Sequence, residues 1–444
     1  MNYWFTAAYM IIFCILGQTS FKALAESSYK EIWPQWRGPE RNGQHIGKEW
    51  PESLNESNLK MIWSKGLGKS YSSPVVDLDT IYTTESVDGK TEKVVAFKRE
   101  TGEEIWSASW PGGMKVPFFA RSNGSWIRST PAIHKNKLFV LGMQEKLVCL
   151  DKNTGRIIWD LDFPKKLSTP EPSFGGVCSP IVVGDDLYIQ AGGGVVKVNT
   201  DDGTIKWTSE TSKDAMGSSP FSSPMVHEIQ GQKQLVALGR NSLTGINLET
   251  GKLLWSQNVP AFRGMNILTP TFTKNGILTA TYGGKTHLFQ LSKIDTEKWS
   301  VKESWQQKFQ GYMSSPVLVE EHAYIHGRSG RLVCIDTTSG EIEWTSDKSF
   351  GKYCSVITNG ENLLVLSSKG ELFLIPASPE EFRITDSLEV TKDDTWAHIG
   401  IADNQVFIRS LKSLKIFSWE DKPADGIKSS SSNDTTAISV AQAE

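Results

Sequence analysis

Cysteine and histidine are scarce in this 444-residue chain, at five and seven residues. No Cys-x-x-Cys pair and no His/Cys grouping at zinc-ligand spacing occurs, which excludes a structural zinc module. Neither charge sign is in excess. Forty-seven Lys and Arg stand against 50 Asp and Glu, a formal net charge of −3, and without a basic stripe there is no electrostatic footprint for nucleic acid. A Gly-rich phosphate loop, a Ser/His/Asp nucleophile motif and a His-Glu-x-x-His helix are also missing, and Gly192-Gly193-Gly194 reads as a hairpin turn. The only sizeable apolar run, residues 1–17, is shorter than the about 20 residues of a comfortable membrane span. Ala23-Leu24-Ala25 follows it as a small-x-small cleavage pattern, so residues 1–25 are expected to be a signal peptide and the mature protein secreted or periplasmic. An uncleaved anchor is the alternative, because no Lys or Arg precedes the run. Cys14 lacks the small residue before it that bacterial lipidation signals carry.

What the chain has in abundance is one repeated phrase: AFKRETGEEIW at 96–106, CLDKNTGRIIW at 149–159, KVNTDDGTIKW at 197–207, GINLETGKLLW at 245–255 and CIDTTSGEIEW at 334–344. Alternating apolar residues give each phrase one buried face, and the Asp or Asn with Gly supplies the backbone conformations of a tight turn, so each is a hairpin. The phrases end on Trp106, Trp159, Trp207, Trp255 and Trp344, large flat anchors at a fixed place on the last strand. Ser-Ser-Pro or Thr-Pro opens a strand pair at Pro74, Pro131, Pro180, Pro224, Pro270 and Pro316, since proline fits a strand start where no ladder donor is needed. Two further copies emerge on alignment, with Leu363 seven residues after Val356 and Val406 seven after Ile399, as Ile81 follows Pro74. Eight units of roughly 40–57 residues with four short strands each predict an all-β, eight-bladed propeller. The eighth unit ends without a Trp strand, whereas Lys60–Leu67, containing Trp63, is a fourth strand lacking the other three. That N-terminal strand is expected to complete the last blade and close the ring, leaving only short outer edges. The expected organisation is a signal peptide (1–25), an extension (26–59), the propeller (60–420) and a disordered polar tail (421–444).

Cys149 and Cys334 fill the slot of Ala96 and Gly245, and Cys178 and Cys354 that of Ser72, Ser222 and Ser314. Small buried slots accept free Cys as a compact hydrophobe. Two disulfides are the other possibility for an exported chain.

The phrase, the blade count and the Trp63 strand resemble the PQQ-binding-like β-propeller repeat proteins, a superfamily that includes quinoprotein alcohol dehydrogenases and the propeller lipoprotein of the bacterial outer-membrane assembly machine. The opening Trp33-Pro-Gln-Trp36-Arg-Gly-Pro-Glu-Arg-Asn-Gly43 is similar to that of an exported, planctomycete-type subgroup. The resemblance implies that Trp63, Trp106, Trp159, Trp207, Trp255 and Trp344 dock against neighbouring blades. Unit five, with Trp299 and Trp305 but no Thr-Gly, and unit seven, with no Trp, depart from the phrase and are expected to be looser or differently edged.

Loops between blades surround one mouth of the channel. The longest, Ser107 to Arg128, carries Trp110, Phe118, Phe119 and Trp126, which either bind a partner or plug the mouth. Arg128, Arg240, Arg263 and Arg328 either hold an anion such as the tricarboxylate of PQQ or are ordinary surface cations. His398 replaces the hydroxyl residue found at Ser73, Thr130, Ser179, Ser223, Thr269, Ser315 and Ser355, and either ligates and titrates near neutral pH or is a hydrogen-bonded imidazole. The quinoprotein resemblance would bring a vicinal Cys-Cys pair, a calcium held by Glu and Asn, and an Asp base, and none can be matched here. The expectation is therefore a non-catalytic exported propeller, without cofactor, binding a protein, peptide or glycan partner. The alternative is a PQQ- and calcium-dependent dehydrogenase.

Overall fold

A computed structural model describes residues 32–47, 49–209, 220–295 and 297–419. The expected signal peptide and tail lie outside the described residues. The described residues form eight four-stranded antiparallel sheets, the blades of a propeller. Blades one to seven span residues 75–111, 132–162, 181–209, 225–258, 271–307, 317–349 and 354–389. Blade eight takes its three inner strands from residues 400–418 and its outermost strand, β1 (Lys60–Gly66), from the N-terminal side. β1 pairs antiparallel with Ser413–Ser418 from Lys60 opposite Ser418 to Gly66 opposite Ser413, which closes the ring. Among the described residues no helix is long and apolar enough to cross a membrane.

The repeat is explained by what happens just before each tryptophan. In the outer strands of blades one to four and six, one residue is squeezed out of register: Trp106 faces Ala96 while Glu104 faces Phe97, leaving Ile105 unpaired, and Ile158, Lys206, Leu254 and Glu343 are bulged in the same way. Blade five has the same bulge at Ser304 before Trp305, and β1 has it at Ile62 before Trp63. A bulge bends the strand and re-aims the next side chain. The indole is thereby turned onto the following blade. Nε1–H of Trp106, Trp159 and Trp207 donates to the carbonyls of Lys152 (3.0 Å), Thr200 (3.2 Å) and Leu248 (3.3 Å). The ring lies over the turn glycine of that blade, so a Cβ on Gly203 would sit 2.8 Å from Trp159 and one on Gly251 2.7 Å from Trp207. These glycines also have positive φ, 75° and 71°, so each is required both by the turn and by the ring above it. Trp63 closes the circle in the same manner on Gly102 and the Arg99 carbonyl (2.9 Å).

Trp305 is a docking residue absent from the set expected from the phrase: its Nε1–H donates to Thr337 O (2.9 Å) and its ring covers Gly340. Trp255 departs from the expected role. Blade five offers no Thr-Gly turn to receive it, so its Nε1–H turns back to Gln234 Oε1 of its own blade (2.7 Å), and its ring occupies the space a side chain at Gly245 would need.

Blade seven has neither tryptophan nor bulge, as Phe373 faces Ser387 and Leu372 faces Leu388 without a register shift. It is not thereby loosened. Trp50, Leu54 and Leu59 of the N-terminal extension pack with Leu364, Leu374, Phe417 and Trp419 across blades seven and eight. The Asp386 carboxylate accepts Leu54 N–H (2.8 Å), and Trp419 Nε1–H donates to Glu49 O (2.9 Å). Cys149, Cys178, Cys334 and Cys354 are all buried and free.

Candidate binding funnel

The Ser/Thr before each strand-opening proline is a structural tie. Ser73 N–H donates to Thr130 Oγ1 (3.2 Å), Thr130 N–H to Ser179 Oγ (3.0 Å), Ser179 N–H to Ser223 Oγ (2.9 Å) and Thr269 N–H to Ser315 Oγ (3.0 Å). This belt links the inner strands of blades one to four in series and joins those of blades five and six. Small hydroxyl residues suit it because only a short side chain reaches the next backbone donor without filling the channel.

Below the belt the hole is stopped by the N-terminal extension, whose placement was not legible in the sequence. Trp33 exchanges backbone hydrogen bonds with Val76, Ile133 N–H donates to Pro34 O, and Thr358 N–H donates to Gly43 O. Two guanidiniums pin the segment. Arg41 donates to the carbonyls of Pro180 (2.7 Å), Ser179 (3.1 Å) and Pro224 (3.3 Å), and Arg37 to those of Asn42 (3.0 Å) and Pro316. Both are 1% exposed and receive only neutral oxygens from these bonds, so burial lowers their pKa values to about 9 for Arg37 and about 10 for Arg41. Trp36 lies over them, with guanidinium carbons 5.5 and 5.7 Å from its ring centre, and forms the floor of the space above.

That space is a blind funnel of about 710 Å³. One wall is Tyr71 stacked on Trp396 at 5.0 Å, with Tyr353 beside them. The opposite wall holds the Phe174–Phe221 and Tyr282–Tyr312 pairs at 5.4 and 4.7 Å. Of the four arginines expected at the mouth, Arg128, Arg240 and Arg263 line the funnel. Arg328 does not. It lies over the Tyr282 ring at 4.8 Å and donates to Gln310 Oε1 (3.2 Å). Arg240 lies over Phe221 at 4.7 Å and donates to Arg263 O (2.7 Å). Arg128 braces its loop through Gly124 O (2.7 Å), and burial lowers its pKa to about 10. Lys352, which the motifs did not single out, also lines the funnel, donating to Asn123 Oδ1 (2.7 Å) over the Trp396 ring.

The long loop splits into three parts. Trp110 ends the outer strand of blade one, 4% exposed, with its N–H on Glu92 Oε2 (3.0 Å), and is core rather than mouth. A 3₁₀ turn at Phe118–Asn123 presents Phe118 and Phe119, 79% and 51% exposed, and only Phe119 reaches the funnel wall. Trp126 is half-buried against Tyr71, outside the lining.

His398 lines the funnel but cannot titrate near neutral pH. Burial, followed by the nearby Arg37 charge, holds its pKa down to about 3, and its Nδ1 faces Ile399 O (3.1 Å). His326 is buried between Ser314 and the Gly351 carbonyl with its pKa lowered to about 4. His322, Asp336 and Glu343 form a His/carboxylate group on blade six away from the funnel, where Asp336 already accepts the Thr338 and Ser339 N–H groups of its own turn.

Residues 90–346 match the family model described as outer membrane protein assembly factor BamB. The chain belongs to this family. Within this PQQ-like propeller superfamily, it is 23% identical to the outer membrane protein assembly factor BamB of Shewanella oneidensis over 301 residues, 66% of this chain and 69% of that protein. The crystal structure of BamB from Moraxella catarrhalis superposes with a TM-score of 0.61 at 14% identity, covering 82% of this chain and 99% of that one. Quinohemoprotein alcohol dehydrogenase from Comamonas testosteroni superposes at 0.50 and 12% identity, covering 89% and 81%. At such identities the superpositions speak to fold alone.

Proposed function

We propose that the protein is a non-catalytic binding module of the bacterial cell envelope that takes a polypeptide partner at the funnel face. The observation that carries this reading is the combination of a stoppered channel with an open, aromatic mouth whose rim exposes Phe118, Phe119 and Phe262. Monomeric surfaces rarely leave such groups together without a partner to cover them. Membership of the BamB family, whose description names an assembly factor for outer membrane proteins, supports a protein partner and an exported location.

The alternative, a PQQ-dependent dehydrogenase, is favoured by Arg128, Arg240 and Arg263 on an aromatic wall, a set suited to a planar polycarboxylate. Calcium does not fit. Among the described residues lining the funnel there is no Asp or Glu, and a calcium site is built of oxygen ligands with carboxylates among them. The same lining supplies no carboxylate base for alcohol oxidation.

The deciding experiment is capture of a partner from an envelope fraction by the mature protein and by its Phe118→Ala/Phe119→Ala variant. Loss of capture with an unchanged melting temperature is expected. Reduction of an artificial dye by alcohols, dependent on added PQQ and calcium and abolished in Arg128→Ala, would overturn the binding-module reading.

A further inference from the structure

The funnel's charge is one-sided in a chain whose overall charge is slightly negative. Arg128, Arg240, Arg263 and Lys352 line it, and no carboxylate does among the described residues. Arg37 and Arg41 add two buried positive charges directly beneath the Trp36 floor, bonded to neutral oxygens. Low-dielectric walls around charges of one sign concentrate the field in the opening between them. The apolar contribution has its own layout. Trp36, Tyr71, Trp396 and Tyr353 form a deep aromatic corner, Phe262 lines the funnel with half of its surface exposed, and the exposed Phe118 extends the apolar surface beyond the enclosed volume. A ligand wholly inside the funnel would leave Phe118 uncovered, whereas a polypeptide that continues across the rim covers it.

We infer that the funnel receives an acidic segment of the partner polypeptide, with an aromatic or large apolar side chain seated over Trp36 and Asp or Glu side chains at the Arg263 and Lys352 rim. The inference rests on the binding-module reading and specifies its ligand. Because the floor is closed, the segment enters and leaves by the same mouth, as a loop tip or a chain end. The guanidiniums of Arg128 and Arg240, held by carbonyls and aromatic rings, are positioned before the segment arrives, which reduces the ordering needed on binding.

The test is fluorescence anisotropy with a labelled hexapeptide of four acidic residues and two phenylalanines, a counterpart with lysine for each acid, and a counterpart with serine for each phenylalanine. The acidic, phenylalanine-containing peptide should bind best, and more weakly as salt rises from about 0.05 to 0.5 M. Arg263→Glu/Lys352→Glu should weaken it by roughly tenfold or more, because like charges then face each other across the rim. Lys65→Glu, on the outer strand of blade eight, should leave it unchanged. Arg263 has positive φ, so Lys352→Glu alone serves if the double variant melts early. Equal binding of acidic and basic peptides, undiminished binding after reversal, or no binding of the acidic peptide would each overturn the inference. Partner capture that survives the charge reversal would retire the acidic-segment assignment and leave the binding module standing.

Discussion

The seams between blades one and two, two and three, and three and four are built alike, and the seam between seven and eight is built differently. In the first three, the bulge and indole of one repeat phrase and the turn glycine of the next lock each blade to its neighbour. In the last, blade seven contributes neither bulge nor indole, and residues 49–59, which precede it by some three hundred positions, fill the groove instead. The repeated seams are local and interchangeable; the odd seam is long-range and made once. The odd seam adjoins the blade completed by β1, so extension and closing strand reinforce one another where the ring is joined.

Breaking the odd region should have the larger effect. Deleting residues 32–66 removes β1, the Arg37 and Arg41 pins and the Trp50 packing together, and should abolish cooperative thermal unfolding; a truncated chain that melts like the parent would refute the closure described. Next, Gly245→Ala should be strongly destabilising because its Cβ has no room beside the Trp255 ring, and Trp255→Leu should restore part of the loss in a double-mutant melt. Trp255→Ala alone should cost about 3–5 kcal/mol, as for other buried aromatics, with Gln234 left without its indole partner, and half-buried Trp159→Ala should cost less. Chemical denaturation ranks the pair, and the reverse order would mean that the turned-in indole matters less than the docked one. Trp50→Ala should raise amide exchange in residues 354–389 and not in residues 132–162, sharpening the distinction between the seams.

The most local effect is a pH dependence confined to a regular seam. Glu145, 2% exposed, accepts Gly192 N–H of the next blade (2.7 Å), and burial raises its pKa from about 4.5 to about 8. The folded state therefore binds this proton more tightly than the unfolded chain. The resulting stabilisation is full below pH 4.5 and is lost as pH rises to about 8. Glu145→Gln should flatten that part of the stability profile, and an unchanged slope would show that Glu145 does not set it.

Legibility followed the same division. The blade count, the closing strand and most docking tryptophans could be read because each is a local pattern repeated at fixed spacing. Trp305 escaped because its turn has a different length, and Trp255 was misassigned because its partner depends on the neighbouring blade, not on its own phrase. The plug could not be read at all. Trp36, Arg37 and Arg41 show no periodicity, and the bonds by which the two arginines reach the blades go to residues more than a hundred positions away. At the mouth, residue type pointed to four arginines, three of which line the funnel, but not to the state of His398, which is set by burial and by Arg37 rather than by its own surroundings in the chain.

The pairing of Lys60 with Ser418 also orders events in time. During synthesis β1 emerges among the first structured segments, yet its hydrogen-bonding partner is among the last, so the strand must travel with an unfilled edge while seven blades assemble beside it. Contacts of such sequence separation form late and slowly. Over that interval the amphipathic edge of β1 is open to strands of other molecules, and a folding helper that shields residues 60–66 would act at the point of greatest exposure.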